Sequence, residues 1–326
     1  MVGPCLHASS LRLSVPAGFS ASVMSSSAPF NLPPSPAPAA EEPPPQDDWP
    51  GGLTALRNKL DRIDDALHDL LMRRARVIED VAKSGKRHAY RPGREAAIIR
   101  RLLRRHHGLL PPQTLVRIWR ELLAGTTAMQ EAFAVAVCEP DASARFTQVA
   151  REHFGTLTPM HPCSSPAQAL AAISRGAAAV AVLPVPSNTD TAQEAWWIRL
   201  LQQAEEPALH VVGRLPFWRP RPAGAPSAEA LVIAAIEPDR SGCDRSLLAL
   251  ELDPDISGTR LTTAIISAQL TPGWMIVRRE QGRAPAHALV EIDDFLTDAD
   301  PRLARLDPAM RRPVALGAYA VPEGTT

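Results

Sequence analysis

Four polar residues fall where helical patterns put apolar ones: Arg74, Glu95, Thr126 and Gln130. A fifth, Arg57, sits beside Leu56 and Leu60. Arg74 continues a stripe made of Leu53, Leu56, Leu60, Ile63, Leu67 and Leu70. Burying an unpaired charge costs several kcal/mol, and polar groups at core positions need partners. Here two guanidiniums, a hydroxyl and an amide face one carboxylate. A donor-rich set of that kind suits a small ligand rich in negative charge. Each residue also has a plainer reading. Arg74 snorkels to water, Glu95 answers the dipole of its helix, and Thr126 and Gln130 mark a frayed helix end. Their convergence on three helices favours the ligand.

The elements that must position them are legible between 51 and 133. A first helix runs from about Leu53 to about Lys83, with apolar residues spaced three and four apart over about four heptads. "SGKRHAYRPG" links it to a second helix, "REAAIIRRLLRRHHG", whose apolar face is Ile98, Ile99, Leu102 and Leu103. The other face of that helix, Arg100, Arg101, Arg104 and Arg105, is expected in water. A third helix starts near Pro112, with Leu115, Ile118, Trp119, Leu122 and Phe133 on one side. The first helix is roughly 45 Å long at 1.5 Å per residue. Much of its stripe stays wet in a monomer, so a dimer of interlocked three-helix protomers is the economical solution.

The whole chain sets wider bounds. Its 326 residues suit two or three domains, and 45% hydrophobic residues provide a core. Thirty-five basic and 35 acidic residues cancel, so nothing overall draws the molecule to nucleic acid or membrane. Four scattered cysteines (Cys5, Cys138, Cys163, Cys243) suit a reducing cytosol and argue against a structural zinc. No metal or cofactor is expected. The first 50 residues hold 11 of the 33 prolines and are expected to be disordered. They lack the regions of a signal peptide. A transit peptide, or translation from a downstream start such as Met24, stays open.

"LTALRNKLDRIDDALHDLLMRRARVIEDVAK", "YRPGREAAIIRRL" and "RIWRELLAGTTAMQ", in this order and spacing, resemble the all-helical (type II) chorismate mutases. The likeness covers about 51–133 and points to the mutase domain that opens bifunctional chorismate mutase/prephenate dehydratases. It implies an interlocked helical dimer in the cytoplasm converting chorismate to prephenate. It also implies roles. Arg74 holds one substrate carboxylate within its own protomer, and Arg57 reaches in from the partner. Arg94 and Glu95 match an Arg-Glu pair in which the Glu accepts from the ring hydroxyl. Thr126 stands near a carboxylate, and Gln130 donates to the ether oxygen. The family's second donor to that oxygen, a lysine, falls at Gly85; a one-residue slip gives the role to Lys86. The rearrangement is unimolecular and needs no nucleophile. Arginines fix the two carboxylates of a flexible dianion, and preorganised donors stabilise charge growing on the ether oxygen.

The second half changes pattern. "FAVAVCEP" reads as a strand and "ARFTQVAREHFG" as a helix. "QALAAISRGAAAVAVLPVPS" reads as helix, turn and buried strand, and "ALHVVGRLPF" as another strand. This α/β order resembles the opening lobe of prephenate dehydratase, with Pro186 in place of that motif's Glu. "EALVIAAIEPDRSGCDRSLLALEL" resembles its last catalytic strand, with Ala228, Glu229 and Ala230 where Thr-Arg-Phe is expected, so dehydratase activity is expected to be absent. Then strand, helix, strand, strand gives a βαββ regulatory-like domain closing on "VALGAY". The expected plan is a multi-domain chain. An all-α helical bundle at 51–133 is followed by an α/β (α+β) region, divided into a partial lobe at 134–226 and a regulatory-like domain at 227–326. His161, His210, His287 and Ser187 read as ordinary residues.

Three rivals stand beside an active mutase. One is an isochorismate pyruvate-lyase on the same bundle. Another is a catalytically dead regulatory or binding protein. The third is a nucleic-acid module, prompted by 17 Lys/Arg against 9 Asp/Glu in 51–133, an excess of 8. No recognition-helix or zinc signature supports the last.

Overall fold

The computed structural model describes residues 52–85, 88–203, 207–219, 221, 223–279 and 285–324. The Pro-rich segment 1–50, expected to be disordered, and Lys86 lie outside the described residues. The chain divides after Arg76 into two compact units.

Of the first unit, the described part is the opening of α1 (Gly52–Lys83). Its leucine spacing and its lack of internal Gly or Pro make it one unbroken helix. No residue of α1 is buried: Leu60, Leu67 and Leu70 are each more than half exposed. The last turns of α1 belong to the second unit and carry an ion pair one turn apart, Lys83 to Glu79 at 2.7 Å.

The second unit opens with α2 (Pro92–Arg105) and α3 (Pro112–Ala128), each with proline in its first turn, where the missing N–H is no loss. α3 stops at Ala128 and does not reach Phe133. Phe133 instead packs its ring against Tyr90 and Phe154 at 5.4 and 5.8 Å. The buried face of α3 is turned from the expected one: Val116, Arg120, Leu123, Thr126 and Thr127 are buried, Leu115, Trp119 and Leu122 are half-buried, and Ile118 is exposed. α3 has apolar residues on two sides, and periodicity does not say which side this unit covers.

Beyond α3 lie β1 (Val135–Cys138), α4 (Arg145–Phe154), β2 (Met160–Cys163), α5 (Pro166–Ser174), β3 (Val180–Pro184), α6 (Trp197–Gln202), β4 (His210–Leu215) and β5 (Ala230–Ala234). Then come β6 (Asp244–Leu252), α7 (Gly258–Ser267), β7 (Pro272–Arg278), β8 (Ala286–Ile292) and β9 (Met310–Ala320). The β6–α7–β7–β8 stretch has the expected βαββ order. The nine strands among the described residues form one sheet, ordered β2-β1-β3-β5-β4-β9-β6-β8-β7. The line drawn at 226/227 falls between β4 and β5, which are antiparallel neighbours in that sheet. β2, β1 and β3 are parallel, as the helices α4 and α5 between them require.

The two sides of the sheet meet where β4 runs parallel to β9, at Val211 and Gly317. Gly317 has φ +137, and a Cβ there would lie 2.1 Å from the Val211 carbonyl oxygen. Only glycine permits this approach. Two residues on, Tyr319 is buried and donates its hydroxyl to Glu291 of β8. Glu291, 2% exposed, also accepts from Arg214 (2.7 Å) and Arg245 (3.2 Å). The closing "VALGAY" thus serves the sheet's central join.

Candidate active site

α2 is aimed from its first turn by a distant carboxylate. Asp239 accepts from the backbone N–H of Gly93 at 2.9 Å and of Arg94 at 3.3 Å, and from Arg91 Nε at 3.0 Å. A negative charge at a helix N-terminus satisfies exposed donors and opposes the dipole. Gly93 is needed: a Cβ there would meet the Asp239 carbonyl oxygen at 2.2 Å. This arrangement leaves Arg94 exposed and turns Glu95 inward, 9% exposed.

Glu95 accepts from Arg120 Nη1 at 3.1 Å. Burial pulls the Arg120 guanidinium down from its ordinary pKa, while Glu95 pulls it up. The same Nη1 lies 3.4 Å from His153 Nε2, and the guanidinium sits over the Phe217 ring at 4.9 Å. Arg120 was not anticipated. Its signal was there, four residues after Val116 and three before Leu123, but the Leu115–Ile118–Leu122 face hid it.

The other anticipated residues are placed as follows. Thr126 is buried, and its hydroxyl donates to the carbonyls of Leu122 (2.9 Å) and Leu123 (3.0 Å) of its own helix. Gln130, half-buried in the turn after α3, donates its amide to the Thr126 carbonyl at 2.8 Å. It therefore serves a helix-end carbonyl. Glu95, Thr126 and Gln130 belong to the second unit. Arg57, exposed, and Arg74, half-buried, lie on the first. Gly85 has φ +80 at the end of the turn after α1.

One surface expectation is corrected. Arg101, Arg104 and Arg105 are exposed, but Arg100 is 8% exposed. It reaches Glu323, Ser241 Oγ at 2.7 Å, and the carbonyls of Val321 (2.6 Å) and Cys243 (3.2 Å). The stretch between β5 and β6 and the one following β9 supply these acceptors, so at Arg100 the face that looked solvated is covered by chain more than 140 residues away.

A family model described as chorismate mutase type II matches residues 56–131. Over that span the chain is similar to the type II chorismate mutases. The match takes in Arg57, Arg74, Arg94, Glu95, Thr126 and Gln130. The bifunctional chorismate mutase/prephenate dehydratase of Pseudomonas aeruginosa is 31% identical over 149 residues, which is 43% of this chain. The chain spans 40% of that relative's length. Among solved structures, GqqA, described as a novel type of quorum quenching acylase, aligns over 59% of this chain and 96% of its own. Its TM-score is 0.44 and its identity 15%. The prephenate dehydratase of Arthrobacter aurescens in complex with L-Phe aligns over 58% of this chain and 90% of its own. Its TM-score is 0.43 and its identity 12%. No helix among the described residues is long and apolar enough to cross a membrane.

Proposed function

We propose that the chain is a cytoplasmic chorismate mutase acting as a homodimer through its helical segment. The carrying observation is the inward-turned Glu95 of α2, held by Arg120, within the matched span that also contains Arg57, Arg74 and Gln130. Glu95 accepts from the substrate's ring hydroxyl and so selects the compact conformer. Arg74 and the partner protomer's copy of Arg57 take the two carboxylates, with Arg94 and Thr126 assisting. Gln130 releases the Thr126 carbonyl by a rotamer change and donates to the ether oxygen, with Lys86 as the second donor. The exposed stripe of α1 supports the dimer, because pairing removes those leucines from water.

Dehydratase activity is absent in this reading. In the slot where the resemblance expects Thr-Arg-Phe, Glu229 is bound by Arg214 (2.8 Å) and Arg219, a structural use of the position. The test is the purified full chain with chorismate, isochorismate and prephenate in turn. The expected result is loss of chorismate with prephenate accumulating. Pyruvate from isochorismate identifies the lyase instead, and phenylpyruvate from prephenate contradicts the dehydratase reading. Sedimentation that gives a monomer contradicts the dimer.

A further inference from the structure

A cavity of about 210 Å³ opens between α3, α4 and the chain that follows β4, all within the second unit. Val116, Val149 and Phe217 give it an apolar wall. Arg117, Arg120, His153 and Trp218 line the same cavity. The acidic residue among the described lining, Glu152, is already bound by Arg221 Nη2 at 2.6 Å. Gln113 and Thr114 can donate or accept, and the arginines, His153 and Trp218 make donors predominate in the rest of the lining.

The protonation of His153 follows from its neighbour. Arginine only donates, so the His153 Nε2 that faces Arg120 Nη1 is an acceptor, and a neutral ring carries its proton on Nδ1. Burial first, then the Arg120 charge, hold the ring well below the usual histidine range, so it is neutral at pH 7. His153 Nδ1 and Trp218 Nε1 are therefore donors, both buried and both without a partner. Buried donors are rarely left so, and two beside one cavity with an arginine at its mouth and another in its wall describe an acceptor-seeking site. The apolar wall sets the rest of the ligand.

We propose that this cavity binds a small carboxylate with a flat apolar body. The carboxylate is held by the His153 and Trp218 ring N–H groups and by Arg117, and the body lies against Phe217, Val116 and Val149. The cavity shares Arg120 with the Glu95 ion pair, but none of the residues assigned to the mutase substrate lines it, and the binding test does not depend on the mutase reading.

Calorimetric titration of 3-phenylpropanoate into the full chain tests it, with phenethylamine as the cationic match in shape. The expected result is saturable binding with a Kd of about 1 mM or tighter. Arg74→Ala is expected to bind within about twofold of wild type, as for sites that share no partners. Phenethylamine is expected not to bind. His153→Leu and Trp218→Phe, each losing a bond to a charged acceptor, are expected to weaken binding about tenfold. The exposed Arg117→Gln, which disturbs no core, is expected to weaken it about threefold and decides the matter if the buried variants do not fold. Absence of saturation, equal binding of the amine, unchanged affinity in Arg117→Gln and whichever buried variants fold, or loss of binding in Arg74→Ala each overturns the proposal.

Discussion

Arg120 of α3 closes on Glu95 of α2, Nη1 to Oε2 at 3.1 Å, with the two side chains 5% and 12% exposed. The carboxylate that the resemblance assigns to substrate is thus oriented by a cation of the same unit. Arg120→Met removes that cation from a buried acid and is expected to cost about 3–5 kcal/mol in urea unfolding. Adding Glu95→Leu to it is expected to recover part of the loss, because no carboxylate then stays buried. A single substitution as mild as an exposed one, below about 1 kcal/mol, contradicts the coupling.

Arg100 is a tether, not a surface charge. It ties α2 to Ser241, to two carbonyls and to Glu323. Arg100→Ala is expected to destabilise by about 3 kcal/mol or more. Arg104→Ala, exposed three residues from the helix's buried face, is expected to stay within about 0.5 kcal/mol. Chemical denaturation of the two variants side by side reads the contrast, and equal effects refute it.

The start of α2 depends on Asp239 and on the absence of a side chain at Gly93. Asp239→Ala is expected to lose about 1 kcal/mol, the usual value of a capping carboxylate. Gly93→Ala places a Cβ 2.2 Å from the Asp239 carbonyl oxygen and is expected to cost more than the cap itself. Thermal melts order the two, and a neutral Gly93→Ala would falsify the close approach.

His153 makes stability depend on pH. Its folded pKa lies well below 6.5, through burial and then the Arg120 charge. Between the folded and unfolded values the unfolded chain binds the extra proton, so stability rises with pH there. The contribution is fully present above about pH 6.5 and is lost as pH falls towards the folded value, at up to about 1.4 kcal/mol per pH unit. Melting temperatures between pH 7.5 and pH 5 should fall less steeply for His153→Gln than for wild type. Parallel slopes would mean that the ring is not held neutral.

How far the sequence carried is best seen residue by residue. The three helices were legible because their apolar spacing is regular and Pro112 marks the start of the third; Pro92, read as part of the link, opens α2. The inward turn of Glu95 was legible from its stripe. Arg120 and Arg100 were not, because each lies on a helix face whose cover comes from far along the chain, and periodicity does not record distant cover. β2 escaped for a related reason. It is four residues long, contains Pro162 and has two exposed positions, so it shows no apolar run. The joining of β4 to β9 rests on one positive-φ glycine, Gly317, which in sequence is only part of a closing motif.

The most direct measurement is chorismate turnover by the purified full chain beside its Arg74→Ala and Gln130→Ala variants. Wild type is expected to deplete chorismate and accumulate prephenate. Gln130→Ala is expected to lose about 10²-fold or more in kcat/KM, the usual effect of removing a donor aimed at developing charge, and Arg74→Ala a comparable amount. Both variants turning over at near wild-type kcat/KM, or a wild type that leaves chorismate untouched, would contradict the account.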